Sequence, residues 1–192
     1  MKFLNRIRVS KIEAARIKAN HYSWHQLLWK AFPGREDESR RFLFRVDDKE
    51  GLFEILLLSP YAPVHPGWGI WETKMIDPGF LGHRQYLFQL RANPTKRDKK
   101  SRKRYTLHDL EQIEEWMGRK AQNSGFELIS CRASSPVWVP FSKGPQKGIH
   151  GSVDFDGVLQ VTDREVFEGV FHKGIGTAKA FGYGMLALRP VG

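Results

Sequence analysis

The chain has 192 residues, with 31 Lys and Arg against 21 Asp and Glu, a formal net charge of +10 and a pI near 9.8. A 41% apolar and 27% charged composition is that of a folded protein with a real core, and no stretch approaches the ~18 apolar residues of a membrane helix, which excludes an integral helical membrane protein. The single cysteine, Cys131, excludes an internal disulfide and a Cys-rich metal cluster and suits a reducing, cytoplasmic setting, while the excess of positive charge favours a polyanion such as nucleic acid.

Taken in chain order, residues 2 to 9 alternate as a strand with one largely basic face. From His21 to Phe32 the apolar positions Trp24, Leu27, Leu28, Ala31 and Phe32 recur at helical spacing, and Pro33-Gly34 stops the helix. RFLFRV (41 to 46) and LFEILLL (52 to 58) read as a hairpin turning through Asp47, Asp48 and Gly51. The three prolines of SPYAPVHPGWG make a second helix short or absent there, and IWETKMI (70 to 76) is the next strand, closed by Asp77-Pro78-Gly79.

RQYLFQLR (84 to 91) opens a second series. The segment from Arg91 to Arg104 holds eight basic residues and one acid, Asp98, and reads as a solvated loop that an anion can order; Arg91, Lys96 and Arg97 are its candidate phosphate contacts. A helix capped by Thr106 follows, with Leu107, Leu110, Ile113, Trp116 and Met117 on one face. FELISC, SPVWVPF, IHGSVDF and GVLQV supply strands, the last two hinged at Asp156-Gly157. A final helix begins at Thr162 with Glu165 at capping-box spacing and ends near Gly174, before the strand MLALRP (185 to 190). The order is β-α-β-β-(α)-β twice, an α+β fold of two tandem ferredoxin-like domains, 1–79 and 80–192.

Three constellations carry chemistry. On a wheel turning about 100° per residue with Trp24 at zero, His25 lies near 100°, Tyr22 near 160° and Lys30 near 240°. His25 and Tyr22 share one flank: an imidazole that can serve as acid or base beside a phenol that can orient a hydroxyl, with a long cation to stabilise charge on phosphate. His21 and His25 also have the i, i+4 spacing of a zinc helix, but the glutamate of a metalloprotease is missing and no third ligand is evident.

In GIGTAKAFGYG, Lys179 stands where a dinucleotide fingerprint needs glycine, and the helix precedes the strand, so no nucleotide cofactor is expected. Gly174, Gly176 and Gly182, with Lys173, Lys179 and Phe181, instead suggest bare backbone that a phosphodiester can approach. SKGPQKGIHG adds Lys143 and Lys147 on a basic hairpin suited to structured RNA.

The segments HYSWHQLLWKAFP, FLFRV, FQLRANPTK and GIGTAKAFGYGMLAL together resemble the CasE family of CRISPR-associated endoribonucleases, which cut precursor CRISPR RNA in type I-E Cascade systems, over nearly the whole chain. The resemblance implies metal-independent cleavage at the 3′ base of a short repeat hairpin, leaving a cyclic phosphate. It places His25 on the family's catalytic histidine, and Tyr22 and Lys30 on positions that assist in some members. It implies no cofactor, the repeat hairpin and other Cascade subunits as partners, no membrane, and a monomer when free. The competing readings are a non-catalytic RNA-binding module of the same fold and a zinc-dependent hydrolase using His21 and His25.

Overall fold

The structure is a computed structural model that describes residues 2–19, 23–35, 42–143 and 146–191. Two compact units divide the chain: Met1–Asp77 with Ala180–Gly182, and Pro78–Lys179 with Tyr183–Gly192.

The first unit is an antiparallel sheet of β1 (Phe3–Ser10), β2 (Leu43–Lys49), β3 (Leu52–Ser59) and β4 (Ile70–Met75) in the order β2-β3-β1-β4. Ile7 and Val9 of β1, Phe44 of β2 and Ile55 and Leu57 of β3 are buried, as is the Trp24, Leu27, Leu28 face of α2 (Ser23–Trp29), which joins the same core. The expected basic face of β1 is not an open one: Arg6 and Arg8 reach Glu72 at 2.6 and 2.8 Å, and the Arg6 hydrogen bond holds that carboxyl below its usual range.

Ser10 caps α1 (Lys11–Arg16), accepting from the Glu13 amide at 3.1 Å. This helix is an addition to the expected elements, although Ser10 and Glu13 have the spacing of a capping box. The β2-β3 turn lies at Glu50-Gly51 rather than at Asp47-Asp48, because Gly51 tolerates φ +74° while Asp47 stays in the strand paired with Arg45 at 3.0 Å. No helix forms between β3 and β4 among the described residues.

In the second unit β5 (Gln85–Ala92), β8 (Phe126–Ala133), β10 (Gln146–Val161) and β11 (Leu186–Pro190) form the order β11-β5-β10-β8. The helices are α3 (Leu110–Gln122) and α4 (Arg164–Lys173), whose Ile113, Trp116, Met117 and Phe167 pack into one core with Tyr86, Phe88, Leu90 and Phe155. Strand by strand, both units follow the ferredoxin-like order in which the first and third strands are central. Tandem ferredoxin-like domains are thus the fold, the first without its second helix.

Three local expectations are corrected. The basic loop contains a small hairpin of β6 (Thr95–Arg97) and β7 (Arg104–Thr106), so Thr106 is a strand residue and Asp109 caps α3 by accepting from Gln112 at 3.0 Å. Asp163 rather than Thr162 caps α4, accepting from Val166 at 3.1 Å; aspartate is an equally good cap and sits one residue nearer the helix. Asp156-Gly157 is no hinge: β10 runs straight through it. A Cβ on Gly157 would lie 2.0 Å from the Ser130 carbonyl oxygen, so the glycine admits a close neighbour strand rather than a turn. The basic hairpin expected around Lys143 and Lys147 is present: β9 (Val137–Lys143) pairs antiparallel with the first half of β10, a long two-stranded extension of the sheet. Among the described residues no helix is long and apolar enough to cross a membrane.

Candidate RNA-processing site

Helix α2 turns Trp24, Leu27 and Leu28 into the core and leaves His25 half-buried at its edge, as the wheel requires. The imidazole is framed by aromatic rings. Its centroid lies 5.5 Å from that of Phe42 and 6.4 Å from that of Phe44, tilted by 36° and 32°, with Trp29 edge-on at 6.3 Å. Phe42 in turn meets Trp29 at 5.1 Å and Phe32 at 5.7 Å. A histidine in this frame is half-exposed while its ring plane is constrained, and a fixed ring plane is what proton transfer to a bound substrate needs.

Sequence reasoning misses Phe42 and Phe44 as site residues. Their signal is the alternation of RFLFRV, which puts positions 42 and 44 on one face of the sheet. Lys30 is exposed in the turn after α2, its amide donating to Leu27 at 3.2 Å. Tyr22 and His21 lie outside the described residues, and with them the spacing on which a zinc reading rests.

In the second unit the basic segment is organised by its one acid. Asp98 accepts from the Ser101 amide at 2.6 Å, and its own amide donates to the Lys103 carbonyl at 2.8 Å, closing the turn between β6 and β7. Backbone donors, that of Ser101 first, hold its carboxyl below the usual range. Lys96 and Arg97 are exposed, and Arg97 stands directly across the ladder from Arg104. Like charges so placed repel, and an anion between them relieves the repulsion. The hairpin and α3 enclose a groove of about 390 Å³ whose lining includes Lys96, Arg97, Gln112, Trp116, Arg119 and Lys120.

Arg91 does not join this set. Its guanidinium grips Asp154 through two bonds of 2.8 and 3.0 Å, so its charge is balanced within the sheet. Lys147 is exposed on β10, opposite Ser142; Lys143 ends β9, opposite Gln146. Nearby, Asn93 of the RANPTK motif is buried and bridges Gly151 and His150, against whose ring Phe141 stacks at 4.2 Å.

The glycine-rich segment is less of an open backbone surface than its composition suggests. Gly174 is the C-cap of α4 at φ +75°, its amide donating to Val170 at 2.7 Å. The amides of Ile175 and Gly184 donate to the carbonyls of Gly184 and Arg91, each at 2.8 Å, so these donors too are already engaged. Gly176, at φ +82°, faces the Trp116 ring. Gly182, at φ +85°, is buried, and a Cβ there would stand 3.2 Å from Cε2 of Phe44. It is therefore a packing position, where an exposed backbone contact was expected. Lys173 is exposed at the end of α4, and Lys179 and Phe181 are half-buried in a 3-10 turn.

Two tandem ferredoxin-like units, one bearing a framed histidine and the other a basic hairpin, define a protein of the RNA-processing kind. The family model described as CRISPR associated protein matches residues 3–190, and the chain belongs to that family. It is 32% identical to the CRISPR system Cascade subunit CasE of Escherichia coli K12, over 95% of this chain and 99% of that protein. It is 27% identical to the CRISPR-associated endoribonuclease Cse3 of Thermus thermophilus, over 92% and 93% of the two chains. Among solved structures, Thermus thermophilus Cse3 bound to an RNA representing a pre-cleavage complex superposes with a TM-score of 0.85 at 25% identity, covering 98% of this chain and 99% of that one. The Cas6e protein of Escherichia coli K12 superposes at 0.77 with 27% identity, covering 98% and 100%.

Proposed function

We propose that this chain is the endoribonuclease that cuts precursor CRISPR RNA at the 3′ base of the repeat hairpin and then stays with the product as a Cascade subunit, in the cytoplasm. The observation that carries the reading is His25: the residue matching the family's catalytic histidine is half-buried in an aromatic frame on α2.

In the proposed reaction the 2′-hydroxyl oxygen attacks the adjacent phosphorus and the bond to the 5′ oxygen breaks. The products are a 2′,3′-cyclic phosphate and a 5′-hydroxyl. One proton leaves the attacking hydroxyl and one reaches the departing oxygen. His25 moves one of them, a role worth roughly a hundred- to ten-thousand-fold in rate. Tyr22 orients or deprotonates the hydroxyl, and Lys30 favours the charge that builds on the phosphate oxygens. Lys96, Arg97, Lys143, Lys147, Lys173 and Lys179 hold the RNA, with Phe181 available to stack on a base. No step requires a metal ion.

The test is a repeat hairpin incubated with the protein in chelator, beside the same RNA carrying a 2′-deoxy sugar at the cut. Cleavage of the first alone, with a cyclic phosphate end, is the expected result. RNA bound but uncut favours a binding module, and activity only on adding zinc favours a metal-dependent hydrolase.

A further inference from the structure

We infer that Phe44 is a positioning residue for His25 and that Gly182, reaching β2 from the glycine-rich segment, holds Phe44 in place. The inference rests on the proposed catalytic role of His25.

Phe44 is fully buried, and three groups bear on its position. The His25 ring lies 6.4 Å away, Phe42 lies 6.2 Å away at 51°, and Gly182 approaches the Cδ2–Cε2 edge. At Gly182 the approach is so close that an added Cβ would meet Cε2 at 3.2 Å and Cδ2 at 3.5 Å. In an interior packed as densely as an organic crystal, a ring pressed at one edge transmits the displacement to its neighbours. The neighbours here are Phe42 and the imidazole, and Phe42 is itself backed by Trp29 and Phe32. Proton transfer requires approach to about 2.6–3.2 Å, so a shift of a few tenths of an ångström at His25 is read as rate.

This role differs from RNA binding. Gly182 and Phe44 are both buried, so a change at either acts on the catalytic histidine while every phosphate-binding side chain stays in place. It also accounts for a glycine that a simple helix cap leaves unexplained. The flanking loop carries Lys179 and Phe181, so the segment proposed to hold RNA is joined by three residues of chain to the one that seats the catalytic ring.

Phe44→Leu, Gly182→Ala and the double variant, each checked for folding by circular dichroism, are compared with wild type. The readouts are affinity for the 2′-deoxy hairpin, single-turnover cleavage rate at saturating protein, and the imidazole resonances of His25. The expected result is a rate about ten- to a hundred-fold lower with affinity within about three-fold, a displaced His25 signal, and a double variant no worse than the worse single one. Wild-type rates, a rate loss matched by affinity loss, or unmoved His25 resonances overturn the inference. If the positive φ prevents Gly182→Ala from folding, Phe44→Leu decides alone. His25→Ala in the same assay separates the two levels. Wild-type cleavage by it removes the catalytic reading itself, whereas its inactivity beside fully active Phe44→Leu and Gly182→Ala removes only the positioning role.

Discussion

The side-chain amide of Asn93 spans two partners on β10, its Nδ2 3.0 Å from Nδ1 of His150 and its Oδ1 accepting from the Gly151 amide at 3.3 Å. A backbone N–H can only donate, so the Gly151 bond fixes which end of the Asn93 amide is oxygen. The NH2 group then faces His150, whose Nδ1 is the acceptor and whose ring proton is on Nε2. RANPTK is thus a structural clasp between the end of β5 and the β9-β10 extension, and Gly151 is needed because a Cβ there would lie 2.3 Å from Cγ2 of Thr106.

Asn93→Ala removes both bonds from a buried position. It should destabilise the protein by about 1–3 kcal/mol, read from denaturant unfolding, while the single-turnover cleavage rate on fully bound RNA stays close to wild type. Unchanged stability would show that the clasp is redundant.

The Arg91–Asp154 pair gives a prediction that separates paired from available cations. Because Arg91 is held by two bonds to Asp154, Arg91→Gln should leave the salt dependence of RNA binding nearly as it is. Lys96→Gln with Arg97→Gln should flatten the slope of log affinity against log salt by about 0.7–0.9 for each phosphate no longer neutralised. A large change of slope on Arg91→Gln would mean that the guanidinium leaves Asp154 for the RNA.

Which features are legible in the chain follows from how local their causes are. The apolar run around Ile55, the alternating run around Phe88 and the helical spacing of Trp24, Leu27 and Leu28 are local, and they suffice to locate both strand sets and α2. They suffice too for the edge position of His25. The clasp at Asn93, the commitment of Arg91 and the contact of Gly182 with Phe44 join residues 57 to 138 positions apart, and no local pattern encodes such distances. Asp98 misleads for a different reason: counted as a charge it is trivial against eight cations, but as a turn-former it decides that the loop is a hairpin.

His172 supplies a pH dependence. It sits in the last turn of α4 against the ring of Phe171, and burial lowers its pKa from the ordinary 6.5. A histidine kept neutral in the folded state contributes stability that is present above 6.5 and is lost as pH falls through its depressed folded value. Melting temperature should therefore drop on the acid side of 6.5 more steeply in wild type than in His172→Gln. Parallel profiles for the two proteins would assign the acid loss to other groups.

Arg97 and Arg104 yield the sharpest test, because the two effects of removing them have opposite signs. They are directly paired across β6 and β7, each exposed, and like charges at this spacing cost the free protein about 0.2–1 kcal/mol. Bound RNA reverses the balance, since a phosphate between the two guanidiniums attracts both, offsets one of their two charges and releases its counterions. The Arg97→Gln, Arg104→Gln double variant should accordingly be as stable as wild type or slightly more so without RNA, and bind the repeat hairpin more weakly with a shallower salt slope. Its single-turnover rate at saturating protein should stay close to wild type, because the proton-transfer role proposed for His25 of α2 is untouched. A large fall in that rate would show that the hairpin shapes the cleavage site itself, and the separation between a charged clamp and a catalytic helix would not hold.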